Sequence, residues 1–330
     1  MTTTLNIFCA TPTTLDSPEH IRIAEGLGYT RAWFYDTPQQ SPDVWMMLAR
    51  TAERTDRIGL GPGVLVPHLR HPMVNASATA ALAALAPGRV AVGFGTGFSS
   101  RRAMGLAPLS WTYLEAYITA FTALLRGETV DWGGARLQML HPDQCAPARP
   151  IDVPVLVAAL GPIGHSVAKR LADGLFTVGA VPPRADEFSW VSHICFGTVL
   201  GDGEDGRSER VRSAAGPGTL VAYHNAYEYA IIDRLPGGEE WLAVVNRLAR
   251  QDRHLAVHQL HLLGLNAADR AAWEAGAHTM IDSLSMTGTA TRIRERIAAL
   301  VERGVTELVY QPAGPNIPRE LEQFMTAATV

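Results

Sequence analysis

The chain has 330 residues, an apolar fraction of 47%, a net charge of −4, and only 18% charged residues. That composition supports a buried core and excludes a disordered chain, and with no basic patch interleaved with aromatics it argues against nucleic acid as a partner. Arginine supplies nearly all of the positive charge, Lys169 being the single lysine.

The elements alternate from the start. Leu5–Ala10 reads as a strand and Pro18–Leu27 as a helix; Arg31–Tyr35 is the second strand, with helix Pro42–Arg54 behind it. Ile58–Val66 and helix Pro72–Leu85 follow, then the short strand Val90–Phe94 and a helix from about Trp111 to Leu125. Val155–Ala159, Gly174–Val178, His193–Leu200 and Glu307–Gln311 complete eight strands, with helices Gly164–Ala172 and Thr289–Arg303 among them. Strands alternating with helical patterns imply right-handed βαβ units and a parallel sheet. Eight of them predict a (β/α)8 TIM barrel, with an open doubly wound sheet as the competitor.

Two segments interrupt the alternation, so the chain is expected to be one domain, 1–330, with insertions after strands four and seven. Residues 128–150 hold a hairpin around Gly133-Gly134, a pair able to supply the positive φ of a tight turn. Residues 205–288 carry helical patterns near Arg207–Ala214, Val221–Ile232, Glu239–Gln251 and Ala267–Ala275, split by Pro217 and Pro236-Gly237-Gly238. An insertion after strand seven of a barrel lands at the catalytic end, where it can cover the site.

Cys9, Cys145 and Cys195 are odd in number and form no CxxC or zinc spacing, which suits free thiols in a reducing cytoplasm. The N-terminus lacks the pattern of a signal peptide, and Ala76–Ala86 is too short to span a bilayer. A cytoplasmic protein without a membrane partner is expected.

Candidate site residues sit at the strand exits. Gly95, Thr96 and Gly97 end strand four: glycine admits close approach of a ligand and Thr96 offers a hydroxyl, while crowding of barrel strands would equally demand small residues. The spacing is not GxGxxG, and no acidic residue follows at the distance of a dinucleotide fingerprint. Tyr35 and Asp36 end strand two, as a pocket wall or as a helix cap. His68 after strand three is a candidate general acid or base; Arg70 and His71 are expected to cap and start the next helix. Leu160, Gly161 and Gly164 after strand five, and Gly179 and Ala180 after strand six, are candidate phosphate contacts or ordinary turn residues, and His165 beside them is a further donor or a surface histidine. Phe98, Arg101, Trp111 and Tyr113, in the long exit from strand four, are candidates for substrate contact or for packing. Tyr223, His224 and Tyr227 would meet substrate if their helix roofs the barrel. His254, His258 and His261 read as a solvated helix face, since no acidic residue or cysteine joins them at suitable spacing; no metal is expected. The Gly201–Gly206 loop lacks the closing glutamate of an EF-hand.

Several of these segments together resemble the bacterial luciferase-like superfamily of flavin monooxygenases and F420-dependent hydride transferases. They are Leu65–Pro72, Pro87-Gly88-Arg89-Val90 with Gly93–Gly97, Arg126-Gly127-Glu128, Val157–Pro162, Ala172-Asp173-Gly174 and Thr287-Gly288-Thr289. The resemblance spans almost the whole chain. It implies a TIM barrel, a homodimer, and F420 or FMN at the carboxyl ends of the strands. It implies hydride transfer between F420 and a small organic substrate. His68, Asp36 and Thr96, by their place at the strand exits, are the catalytic candidates. Two alternatives stay open. One is an FMNH2-dependent monooxygenase supplied by a flavin reductase and working through a flavin hydroperoxide. The other is a non-catalytic subunit of a luciferase-like heterodimer. In one respect the chain departs from the pattern: many F420 members carry an acidic-His pair after strand two, where this chain has Tyr35-Asp36-Thr37. Metal-dependent hydrolysis would need more carboxylates and histidines at strand ends than Asp36 and His68 provide.

Overall fold

The computed structural model describes residues 5–142 and 144–329. Eight parallel strands form one sheet: β1 (Asn6–Thr11), β2 (Arg31–Phe34), β3 (Gly59–Pro62), β4 (Val92–Phe94), β7 (Val155–Ala158), β8 (Gly174–Val178), β9 (Val191–Phe196) and β10 (Glu307–Gln311). β5 (Val130–Trp132) and β6 (Ala135–Leu137) make a separate antiparallel hairpin through Gly133-Gly134. The order around the sheet is β3-β2-β1-β10-β9-β8-β7-β4. The seam between β3 and β4 closes by two isolated bridges, Leu60 to Val90 and Leu65 to Phe94. The chain is therefore a nearly closed TIM barrel, as the alternation predicts. Between those bridges the strands press together without a regular ladder; a Cβ on Gly61 would lie 1.9 Å from the Ala91 carbonyl oxygen.

Helices α1 (Ser17–Gly26), α2 (Val44–Ala52), α3 (Pro72–Leu85), α5 (Trp111–Arg126), α6 (Pro162–Leu171), α12 (Ala290–Glu302) and α13 (Ile317–Thr329) pack outside the barrel, and the short α4 (Phe98–Arg102) follows β4. Their apolar faces and the outward residues of the strands form the main core, including Leu48, Phe94, Phe121 and Phe324. A smaller cluster fills the barrel itself: Phe8, Ala10, Trp33, Ala91, Leu156, Phe176 and Val309. Alternation along each strand produces this split, because successive side chains point to opposite faces.

The lower end of the barrel is plugged by charge. The guanidinium of Arg31 lies 5.7, 5.5 and 5.4 Å from the ring centroids of Phe8, Trp33 and Trp190. Near it, Glu307 accepts hydrogen bonds from Ser192 Oγ at 2.6 Å and from Trp190 Nε1. The packed floor there leaves the carboxyl ends of the strands as the open end.

The insertion contains α7 (Glu209–Glu228), α8 (Gly238–Val245), α9 (Arg253–His258), α10 (Ala267–Glu274) and α11 (Ile281–Leu284), and buries its own cluster around Tyr223, Trp241, Val257 and Trp273. Pro217 is expected to split the first of these. In the structure, α7 runs through Pro217 as one helix. Proline deprives a helix of one internal hydrogen bond, but here the segment is held against the barrel wall. A Cβ on Gly218 would lie 2.2 Å from Phe196 Cβ, so only glycine allows that approach.

Candidate active site

The open end of the barrel lies above the Trp33–Phe176 pair, whose rings meet edge to face at 5.2 Å. Tyr35, Val64, Ala158 and Ile194 pack on this inner cluster and are only partly buried. The Tyr35 hydroxyl donates to Gln311 Oε1, and Thr13 Oγ1 donates to the Tyr35 carbonyl at 2.7 Å. Gln311 Nε2 in turn donates to the Leu262 carbonyl at 3.4 Å, so a loop of the insertion reaches the barrel mouth. Arg102 pairs with Glu228 at 3.1 Å, and Phe98 stacks on Tyr229 at 5.7 Å, joining the exit of β4 to α7.

Asp36 is fully engaged. Arg70 Nη1 donates to both of its oxygens, at 2.9 and 2.7 Å, and Arg70 Nη2 donates to Asp43 at 2.6 Å. Asp43 also caps α2 by accepting from the backbone of Trp45 and Met46. Burial nevertheless pushes the Asp36 carboxyl above the ordinary range, against the pull of Arg70. Asp36 is thus an anchor between strand exits, with Arg70 as the clamp. His71 caps α3 by accepting from the Met73 amide.

His68 differs. It sits on the single 3-10 turn after β3, Pro67–Leu69, and neither ring nitrogen has a hydrogen-bond partner. Burial, reinforced by the nearby charge of Arg101, holds its pKa below 6.5. Its imidazole is therefore neutral at pH 7, with one acceptor and one donor nitrogen, both shielded from solvent and without a partner among the described residues.

The glycines at the mouth have distinct causes. A Cβ on Gly95 would lie 2.7 Å from Val64 Cγ2. On Gly97, whose φ is +78°, it would lie 2.5 Å from Val66 Cγ1. Gly164 is hemmed in by Trp111 and Ala159 at 2.5 and 2.6 Å. These three serve packing between neighbouring segments. Gly161 and Gly179 instead face open space, with nothing within 4 Å of an added Cβ. Gly161 precedes α6, whose first turn no side chain caps, and His165 Nε2 on that helix has no partner. Uncapped N–H groups and the helix dipole make such a terminus a receptor for an anion. Leu160, beside it, is exposed.

Five residues expected to line substrate are placed elsewhere. Trp111 packs against α6 at Gly164, and Tyr113 lies 5.8 Å from Trp132 of the hairpin, so both bind the outer helices together. Tyr223 is buried in the core of the insertion, its hydroxyl donating to the Pro236 carbonyl at 2.6 Å. Tyr227 packs on Trp241 at 5.3 Å. His224 is buried beside Asp269 and His261. The stripe of α7 that bears these residues faces the other helices of the insertion. His258 and His261, expected on a solvated face, are likewise buried. Gln311, Glu228 and Asp269 were not singled out from the sequence; a lone polar residue at a strand end or on a helix carries no spacing signal.

A parallel eight-stranded barrel with a packed floor and a polar, partly open carboxyl end is the architecture of a TIM-barrel enzyme. Residues 11–195 match the family model described as luciferase-like monooxygenase, and the chain belongs to that family. Among curated relatives, a 5,10-methylenetetrahydromethanopterin reductase of Methanolobus tindarius is 27% identical over 310 residues, covering 90% of each chain. An F420-dependent glucose-6-phosphate dehydrogenase of Microbacterium testaceum is 29% identical over 227 residues, 63% of this chain and 64% of that one. Among solved structures, the coenzyme F420-dependent tetrahydromethanopterin reductase of Methanopyrus kandleri superposes with a TM-score of 0.67 at 18% identity, over 98% of both chains. At that identity the superposition bears on the fold alone. No helix among the described residues is long and apolar enough to cross a membrane.

Proposed function

We propose that this protein is an oxidoreductase that transfers a hydride between coenzyme F420 and a small organic substrate at the barrel mouth. The observation that carries the choice of cofactor is the naming of F420 dependence among its relatives, including one 29% identical over 227 residues. The mouth fits such a group. The open space at Gly161 and Gly179 and the uncapped start of α6 suit its phosphate. We assign Tyr35, Gly95, Thr96 and Gly97 to its ring system, and Phe98 and Arg101 to the substrate beside it. When bound, the cofactor supplies a carbon centre that gives or accepts hydride.

The chain's own residues position and protonate. His68, neutral and unpartnered, takes the proton from a substrate hydroxyl as hydride leaves the same carbon, or returns it in the reverse direction. Asp36 holds Arg70 and the β3 exit in place and carries no proton in this scheme. Gln311 ties the Tyr35 wall to the overlying loop, which limits the access of water. We further propose a homodimer in the cytoplasm; the exposed apolar residues Met46, Val74 and Leu140 offer a surface for a second copy.

Titration with F420 and with FMN, followed by fluorescence quenching, tests the reading. Binding of F420 in clear preference to FMN, and turnover without oxygen consumption, is the expected result. Preference for FMN with oxygen-coupled turnover would replace it with flavin monooxygenation, and binding of neither would point to a partner subunit without chemistry.

A further inference from the structure

Inside the helical insertion, three histidines from separate segments converge. His224 is on α7, His258 ends α9 and His261 lies in the turn that follows; they are 2, 3 and 8% exposed. One nitrogen from each lies within 4.8 Å of the others. His224 Nδ1 and His261 Nδ1 are 2.7 Å apart. Two lone pairs cannot face each other at that distance, so a proton or a cation must lie between them.

The surroundings fix which nitrogen is free. His224 Nε2 is 3.0 Å from Asp269 Oδ1, and a carboxylate only accepts, so Nε2 bears the hydrogen and Nδ1 presents its lone pair to the cluster. Asp269 is itself held by Trp241 Nε1 at 2.9 Å and by the Asn266 amide at 3.1 Å. A carboxylate behind a histidine in this way is the usual outer support of a metal ligand, because it sets the tautomer and raises basicity. His258 supplies an independent observation. It is 3% exposed, its Nδ1 has no hydrogen-bond partner among the described residues, and its Nε2 makes an ion-pair contact of 3.5 Å with Glu228 Oε1. An unpartnered buried imidazole is costly unless something else takes its lone pair.

We propose that His224, His258 and His261 form a binding site for a divalent transition-metal ion, Zn2+ foremost. Three neutral imidazoles favour Zn2+, Co2+, Ni2+ or Cu2+ over Mg2+ or Ca2+, which take oxygen ligands. Binding moves the His261 proton to Nε2. It opens the two Nδ1 atoms to about 3.3 Å, the separation that metal–nitrogen bonds of about 2.0–2.1 Å impose in a tetrahedron. The charged groups facing the cluster are Glu228, paired with Arg102, and Asp269. The ion would tie α7, α9 and the turn carrying Leu262, whose carbonyl meets Gln311 at the barrel mouth. The site stands independently of the cofactor proposed above.

The test uses the full, untagged chain, stripped with a chelator and titrated with Co2+ alone. One equivalent should produce the intense visible bands of a four- or five-coordinate ion, displaced by Zn2+. His258→Gln should weaken Co2+ binding by on the order of 100-fold or more, and Asp269→Asn by about 10–100-fold. X-ray absorption of the Zn2+-loaded wild type should show three imidazole nitrogens, which reads the site even where a variant fails to fold. A Co2+ spectrum like that of the aqueous ion, equal binding by His258→Gln, or a first shell of oxygens would overturn the proposal.

Discussion

Arg70 places one nitrogen between the two oxygens of Asp36, at 2.9 and 2.7 Å, and spends its other terminal nitrogen on Asp43. One side chain thus joins the exit of β2, the start of α2 and the exit of β3. Arg70→Met would leave the Asp36 carboxylate buried without its partner. A loss of roughly 3–5 kcal/mol in denaturant unfolding is expected. Adding Asp36→Asn should recover part of that loss; if the double variant is as unstable as the sum of the singles, the pair is not coupled as described.

His68→Asn separates chemistry from stability. Among the described residues its ring nitrogens have no hydrogen-bond partner, so no hydrogen bond is lost and unfolding free energy should change by about 1 kcal/mol or less. Turnover should fall by roughly 10²–10⁴-fold. Because burial holds the imidazole below its ordinary value, the acidic limb of the wild-type rate profile for substrate oxidation should lie below pH 6.5 and vanish in the variant. A retained limb assigns the proton transfer to another group.

Two glycines at the mouth should respond oppositely. Gly97→Ala forces a side chain into a left-handed conformation and into Val66, and should cost about 1–3 kcal/mol. Gly161→Ala meets nothing and should leave the melting temperature unchanged while weakening F420 binding. Unaltered affinity in Gly161→Ala, measured by the same quenching titration, would remove the start of α6 from the cofactor site.

Glu307 gives the fold an inverted pH response. Burial pushes its carboxyl from 4.5 up to about 7, outweighing the hydrogen bonds from Ser192 and Trp190. Between those values the folded chain keeps a proton that the unfolded chain has released. Stability attributable to this group is therefore greatest below pH 4.5, falls as pH rises to about 7, and is flat above. The size of the effect is roughly 3 kcal/mol. Glu307→Gln should erase that slope in unfolding experiments from pH 5 to 8; an unchanged slope locates it at another residue.

The strand exits were legible because each barrel strand is a short apolar run stopped by glycine, proline or a polar residue; Gly174–Val178 and Glu307–Gln311 are bounded as read. The capping of α3 by His71 was equally local. What the sequence hides is orientation. Tyr223 and Tyr227 share a helical stripe, but whether it faces the barrel or Trp241 depends on how the chain turns back after α7 to pack α8 on it, which spacing along the sequence does not reveal. Trp111 reads as a free aromatic until Gly164 is seen beneath it. His224 belongs with His258 and His261 only after α7 and α9 have packed. Pro217 misleads in the other sense, since its local breaking tendency is overruled by the packing of α7 on β9.

The close passage of Gly218 past Phe196 makes α7 an outer stave of the barrel, and Arg210 on that helix nails it to Glu320 of α13 at 3.0 Å. The insertion is therefore not a detachable cap. Excising residues 205–288 to obtain a minimal barrel would strip the wall beside β9 and leave the Glu320 carboxylate buried without Arg210. Efforts to retarget this protein to other substrates should accordingly graft changes into the turn around Leu262 and keep the first helix whole.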